Sequence, residues 1–190
     1  ACRRSSEALD GLGVRVETGV DVTSELALGQ LAERLDGIRL DLILLNAGIL
    51  LREGLEELDF ASMLRQFEVN ALGPLRCVQA LRGQLEEGSK IAIVTSRMGS
   101  IGDNTSGSRY GYRMSKAAVN MAGVSLARDL APFGISVALL HPGYVRTDMT
   151  QGRGLVDAPE AARGLLHRID ELDLATSGSF WHANGEILPW

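Results

Sequence analysis

Tyr112-Arg113-Met114-Ser115-Lys116 opens a run of small residues, Ala117-Ala118-Val119-Asn120-Met121-Ala122-Gly123. That run predicts a helix, and on a helix positions i and i+4 share a face. The Tyr112 hydroxyl and the Lys116 ammonium can therefore point into one pocket. A free phenol titrates near 10, and a neighbouring ammonium favours the phenolate. Such a pair can donate and accept a proton near neutral pH. Composition sharpens the reading. The chain has seventeen Arg but only two Lys, Lys90 and Lys116, and a guanidinium does not replace the compact charge of an ammonium at a catalytic site. Tyr110 is a competing phenol, but the residue four positions on from it is Met114.

On either side of this stretch, strand-like and helix-like segments alternate. Val14 to Val20 reads as a short strand leaving at Asp21-Val22-Thr23. Thr23 or Ser24 can cap a helix carrying Leu28, Leu31 and Leu35 and ending near Gly37. Leu40 to Leu45 is apolar apart from Asp41 and stops at Asn46-Ala47-Gly48, the pattern of a central parallel strand buried on both faces. Leu55 to Leu85 reads as largely helical, with Gly73-Pro74 inside it, and Phe60, Met63, Leu64, Phe67 and Leu72 form its apolar stripe. Ile91 to Val94 is the next buried strand and ends at Thr95-Ser96. A Gly- and Ser-rich loop, Gly99 to Gly107, leads into the Tyr112 helix, which Pro132 and Gly134 stop after about Leu130. Ile135 to Leu140 is a strand ending at His141-Pro142-Gly143. Thr147 to Asp157 reads as mobile. Asp157, Pro159 and Glu160 read as a helix start with a capping box, and that helix ends near Leu174. Ser179 to Trp181 and Glu186 to Leu188 read as the last strand.

This alternation predicts an α/β domain spanning residues 1–190 around a mostly parallel sheet. Ligands of such sheets bind outside the carboxyl ends of the strands. Asp21, Asn46, Ser96, Pro142 and Gly143 all fall at predicted strand ends.

Bulk properties narrow the function classes. A net charge of −5 with no basic block disfavours nucleic acid as a partner. No run approaches the ~18 apolar residues of a membrane span. Cys2 and Cys77 make no disulfide framework, so a reducing, cytoplasmic setting is expected. His141, His167 and His182 lack metal-ligand spacing, so no metal is expected. His141 reads as a buried strand-end residue.

The ordered set Asn46-Ala47-Gly48, Val69-Asn70, Ser96 with Gly99, Tyr112 with Lys116, and Pro142-Gly143 followed by Thr147 resembles the short-chain dehydrogenases/reductases. The resemblance covers nearly the whole chain. Ser96 to Met114, His141 to Met149 and the closing Leu188-Pro189-Trp190 are similar to the C-factor and sniffer-type carbonyl reductase branch, in which the serine-to-tyrosine spacing is longer than usual. Here it is sixteen positions.

The resemblance implies a Rossmann-like, doubly wound parallel sheet and hydride transfer between a nicotinamide and a small ketone or aldehyde. In that reading Tyr112 is the general acid. Lys116 lowers the Tyr112 pKa and bonds the nicotinamide ribose, and Ser96 holds the substrate oxygen. Asn70 holds a helix distortion and a water relay through Lys116. Asp21 and Val22 contact adenine, although Asp21 also reads as a plain turn residue. Asn46, Ala47 and Gly48 support the cofactor, and Pro142, Gly143, Val145 and Thr147 frame the nicotinamide amide and pyrophosphate. A homodimer or homotetramer is implied as well.

The family's first strand and its Gly-x-x-x-Gly-x-Gly turn do not precede Asp21, which corresponds to roughly 30 residues, about one βαβ start. We expect a segment ahead of Ala1 to supply them. A truncated product, or a strand from another segment or subunit, are the alternatives. Arg3 and Arg4 would then leave the second strand where the 2′-phosphate of NADP lies, so NADPH is expected over NADH, with NAD possible. They also read as plain surface arginines. The opposing function class is a non-catalytic regulatory or signalling protein that keeps the fold.

Overall fold

A computed structural model of the chain describes residues 7–190. Its elements, in order, are α1 (Glu7–Asp10), α2 (Glu25–Arg34), β1 (Leu42–Leu45), α3 (Phe60–Phe67), a π turn (Glu68–Leu72), α4 (Gly73–Leu81), β2 (Lys90–Val94), α5 (Tyr110–Leu130), β3 (Ser136–His141), α6 (Ala158–Glu171) and β4 (Phe180–His182). The four strands form one sheet in the order β1-β2-β3-β4, and every pairing is parallel.

Period-two alternation assigns each strand residue to one of two cores. Ile43, Ile91, Ile93, Val137, Leu139 and Phe180 face one side, where α2, α4 and α5 supply Leu28, Leu31, Val78, Leu81, Val119 and Leu130. Ala92, Ala138, Leu140 and Trp181 face the other side, where Ile169 and Leu165 of α6 and the following Leu172 cover them. Helices on both faces of a parallel sheet make this a Rossmann-like α/β fold. Gly123 lets α5 lie close to the sheet, because a Cβ there would stand 2.5 Å from Leu139 Cδ2.

Several local expectations give way to tertiary context. Val14 to Val20 forms no strand and enters no ladder among the described residues. Side chains hold it instead: Arg15 Nε and Arg34 Nε donate to the two Glu17 carboxylate oxygens at 2.7 and 2.6 Å, while Val20 enters the core. The β1 run is not buried on both faces. Ile43 is buried, but Leu42 and Leu44 are 36% and 44% exposed, because α6 covers the columns of β2 to β4 and does not reach β1. Ser24, and not Thr23, caps α2, its Oγ accepting from Ala27 N at 3.2 Å. Pro74 lies inside a continuous helical run, directly after the π turn, where Leu72 and Gly73 keep right-handed helical backbone and Gly73 N donates to Glu68 O.

The Asp157 capping box is absent. The Asp157 carboxylate makes no cap bond and accepts from Arg146 Nε at 2.8 Å. That ion pair belongs to a set of contacts tying down the stretch expected to be mobile. Arg146 N donates to Val156 O at 2.9 Å, Thr147 N to Thr150 Oγ1 at 3.0 Å, and Val145 bridges to Val156. No described helix is long and apolar enough to cross a membrane.

Candidate active site

Because β1, β2 and β3 run parallel, the residues leaving them emerge at one edge of the sheet. Asn46-Ala47-Gly48 leaves β1, Thr95-Ser96 leaves β2, and Pro142-Gly143 leaves β3. The first two turns of α5 bring Tyr112 and Lys116 to the same edge. Both are buried, at 7% and 4% exposure, as is Ser96 at 8%.

Ser96 Oγ accepts from Met98 N at 3.1 Å, capping a single 3-10 turn, and its hydroxyl acts on the Tyr112 phenol to lower its pKa. Lys116 Nζ lies 5.8 Å from the centre of the Tyr112 ring and donates to Val94 O at 3.0 Å. The electrostatics differ from the expected lowering of the phenol pKa by the ammonium. Burial pushes the Tyr112 phenol above its usual value, and the nearby Ser96 hydroxyl pulls only partly the other way. Burial also lowers the Lys116 ammonium to about 8. Desolvation thus outweighs the charge of a lysine that stands a ring's width away.

Asn70 joins the group through the π turn, whose wider coil redirects the side chains it carries. Asn70 Oδ1 accepts from Ile49 N at 2.8 Å, and its Nδ2 donates to Ile49 O at 2.9 Å and to Ser115 Oγ at 3.0 Å. Ser115 Oγ in turn donates to Tyr112 O at 2.8 Å, so the backbone of the tyrosine is tied to Asn70. Gly48 closes the circle: a Cβ on it would stand 3.4 Å from Asn70 Oδ1 and 3.6 Å from Lys116 Nζ. The structure therefore places Ser96, Tyr112, Lys116, Asn70 and Gly48 around one spot.

The sixteen-position spacing is accommodated by a stitched loop. The Arg113 guanidinium donates to Gly107 O and Ser108 O at 3.1 Å each, to Ser106 Oγ at 2.8 Å and to Met98 O at 3.4 Å. Sequence reasoning did not assign roles to Arg113, Ser115 or the buried pair Thr95–Asn120, in which Thr95 Oγ1 donates to Asn120 Oδ1 at 2.6 Å. Arg113 and Ser115 lie inside the quoted stretch but look like spacers there.

The remaining candidates are more dispersed. Asp21 Oδ1 accepts from Thr23 N and Thr23 Oγ1 at 3.0 and 2.7 Å, an Asx turn, and Val22 packs against the start of α4 at Gly73. Asn46 and Ala47 are exposed, and Gly48 is half-buried. Pro142 and Gly143 are half-buried beside β4. Gly143 takes φ +89°, and a Cβ there would lie 3.5 Å from the His182 ring. His141 meets His182 edge-on at 4.9 Å. Burial, with His182 and Arg97 nearby, holds its pKa at about 3, so it is neutral at pH 7. Arg3 lies outside the described residues. Among the described residues no three His, Cys, Asp or Glu side chains cluster as a metal site would need.

The donor set fits a dinucleotide. An ammonium has three N–H groups, and Lys116 uses one on Val94 O while facing the bare Cα of Gly48. The other N–H groups suit ribose hydroxyls, and the glycine lets a ligand come close to the backbone.

The chain matches the family model described as enoyl-(acyl carrier protein) reductase over residues 2–169. It is 46% identical over 196 aligned positions to the 1-hydroxy-2-glutathionyl-2-methyl-3-butene dehydrogenase of Rhodococcus sp. (strain AD45), covering 100% of this chain and 87% of that protein. It is 46% identical over 153 positions to the C-signal of Myxococcus xanthus, covering 79% and 92%. The NADPH-bound carbonyl reductase from chicken fatty liver superposes with a TM-score of 0.89 at 27% identity, covering 100% and 86%. The chain belongs to the short-chain dehydrogenase/reductase family, and the expected family and fold both hold.

Proposed function

We propose that this chain is an NADP(H)-dependent oxidoreductase that reduces a small ketone or aldehyde and oxidises the corresponding alcohol, with Tyr112 as the general acid and base. The observation that carries this is the convergence of buried Ser96, Tyr112 and Lys116 at the carboxyl edge of a parallel sheet. The dinucleotide supplies or takes up the hydride. Lys116, Gly48, Asn46 and Ala47 hold its nicotinamide half together with Pro142, Gly143, Val145 and Thr147. Asp21 and Val22 meet its adenine, and Arg3 its 2′-phosphate.

In reduction, the Ser96 hydroxyl bonds the substrate oxygen, and Tyr112 Oη transfers its proton to that oxygen as the carbonyl becomes an alkoxide. In oxidation the phenolate takes the alcohol proton. Asn70 and Ser115 keep the tyrosine turn in place. The NADPH-bound chicken carbonyl reductase supports the choice of cofactor. The Rhodococcus dehydrogenase, whose name describes a hydroxy compound bearing a glutathionyl group, supports the alcohol direction. A cytoplasmic location and a homodimer or homotetramer belong to the same reading.

The test is steady-state turnover with NADPH and NADH over a panel of carbonyls. Tyr112→Phe should lower kcat by about a hundred- to ten-thousand-fold; unchanged turnover would remove Tyr112 from the chemistry. Comparable affinity for NADPH and NADH would remove the cofactor preference. The similarity to the C-signal supports a second, non-catalytic reading, in which dinucleotide binds but no carbonyl turns over.

A further inference from the structure

The α5 helix begins in an unusual way. Its N-cap, Arg109, has φ +52° and ψ +49°, and Ser108 before it has φ +60°. Two consecutive non-glycine residues in the left-handed region are strained, and such strain persists only where the surroundings over-determine it. No side chain caps the helix. Here the surroundings are the Arg113 guanidinium, which donates to Gly107 O and Ser108 O, and Glu53. The Glu53 backbone carbonyl accepts from Arg109 N at 2.9 Å and from Ser108 Oγ at 3.2 Å.

Glu53 is itself fastened. It is 3% exposed, and its Oε1 accepts from Ser62 Oγ at 2.9 Å and from Gln66 Nε2. Gln66 is fully buried, and its Oε1 accepts from Leu51 N at 2.9 Å. Gln66 also abuts the tyrosine turn, because a Cβ on Gly111 would lie 2.6 Å from its Nε2. One helical stretch thus grips the loop after Gly48 twice, through Asn70 at Ile49 and through Gln66 at Leu51 and Glu53. That loop in turn grips the strained entry to α5, three residues before Tyr112.

We propose that Glu53 and Gln66 are positioning residues that hold residues 108–109 in their left-handed conformation and thereby fix where Tyr112 stands. This rests on the reading of Tyr112 as the acid, but its first test does not. The Glu53 side chain works by anchoring its own carbonyl, so charge is not the requirement. Glu53→Gln keeps an oxygen that can accept from Ser62 and Gln66, and should keep the clip. Glu53→Ala removes the anchor. Glycine adopts positive φ without a Cβ clash, so Arg109→Gly should lessen the need for the clip.

The experiment is amide hydrogen exchange across residues 105–111 of the full chain, paired with kinetics. Glu53→Ala should speed exchange at Arg109 about tenfold or more and lower kcat by about tenfold or more with little change in KM. Glu53→Gln should leave both near wild type, and the loss from Glu53→Ala should be smaller in the Arg109→Gly background. If Glu53→Ala does not fold, Gln66→Met, which keeps the bulk and removes the bonds to Glu53 and Leu51, carries the same expectation. Unchanged exchange at Arg109 in the folded variant overturns the clip. So do equal losses from Glu53→Ala in the presence and absence of Arg109→Gly. Absent turnover in the wild-type protein would instead overturn the oxidoreductase reading and leave the exchange result to decide the clip alone.

Discussion

Gly99 lies directly on the backbone of Lys116: a Cβ built on it would stand 2.7 Å from the Lys116 carbonyl carbon and 2.8 Å from its oxygen. The turn that follows Ser96 can therefore seat on α5 only without a side chain at this position. Neither surface can yield, since one is a 3-10 turn and the other a hydrogen-bonded helix. Gly99→Ala should lower stability by about 1–3 kcal/mol, as overpacking does, and should reduce turnover disproportionately, because it pushes Ser96 away from Tyr112. Thermal unfolding and kcat of the same variant check this.

The phenol of Tyr112 sits above its usual pKa because it is buried. It is therefore protonated throughout the neutral range, the form needed to reduce a carbonyl. We expect kcat/KM for reduction to be flat from about pH 6 to 8, and alcohol oxidation, which needs the phenolate, to rise with pH by about tenfold per unit above neutrality until the phenol titrates. Paired pH profiles in the two directions check this. An oxidation rate that does not rise with pH would count against Tyr112 as the base.

Lys116 is a buried ammonium whose pKa is lowered by burial to about 8. A base with a depressed folded pKa destabilises the fold while it is charged. The penalty is fully present below about pH 8 and fades as pH rises from there towards the ordinary lysine value near 10.4. Lys116→Met should therefore raise stability at pH 7 by about 1–3 kcal/mol while abolishing turnover, and this gain should shrink above pH 8. Denaturant midpoints of both proteins at pH 7 and pH 9.5 check the sign.

His141 shows the same physics on the acid side. Its folded pKa of about 3 lies below the ordinary imidazole value, and Nδ1 is buried without a hydrogen-bond partner. The unfolded chain takes up this proton near pH 6.5 and the folded chain does not. Stability is thus lost as pH falls from about 6.5 towards 3, by about 1–2 kcal/mol at pH 5. His141→Gln should be less acid-sensitive than wild type over that interval, as unfolding curves at pH 7 and pH 5 would reveal.

Part of this protein was legible without coordinates because it depends on local spacing. Tyr112 and Lys116 are four apart, so any helix puts them on one face. Leu40–Leu45, Ile91–Val94 and Ile135–Leu140 are short apolar runs that end in polar residues, so parallel strands with a site at their carboxyl ends followed. What was not legible depends on partners distant in the chain. Asp157 and Glu160 look like a capping box, but Arg146 claims the carboxylate. Val14–Val20 looks like a strand, but a strand exists only through a ladder, and none forms among the described residues. Leu42 and Leu44 look like core, yet their burial depends on how far α6 reaches.

The sequence by itself determined the class of fold, the order of its elements and the residues that gather at the sheet edge, because periodicity and turn chemistry are properties of neighbours along the chain. Only the tertiary structure decided the state of those residues. Whether the Tyr112 phenol titrates above or below its ordinary value depends on desolvation by burial, set against the Ser96 hydroxyl beside it, with the Lys116 ammonium 5.8 Å from the ring centre. Likewise, nothing in Glu53, Gln66 or Arg109 marks them locally. They acquire meaning when folding brings three separate segments together, so that the Glu53 carbonyl meets Ser108 and Arg109 at the entry to α5.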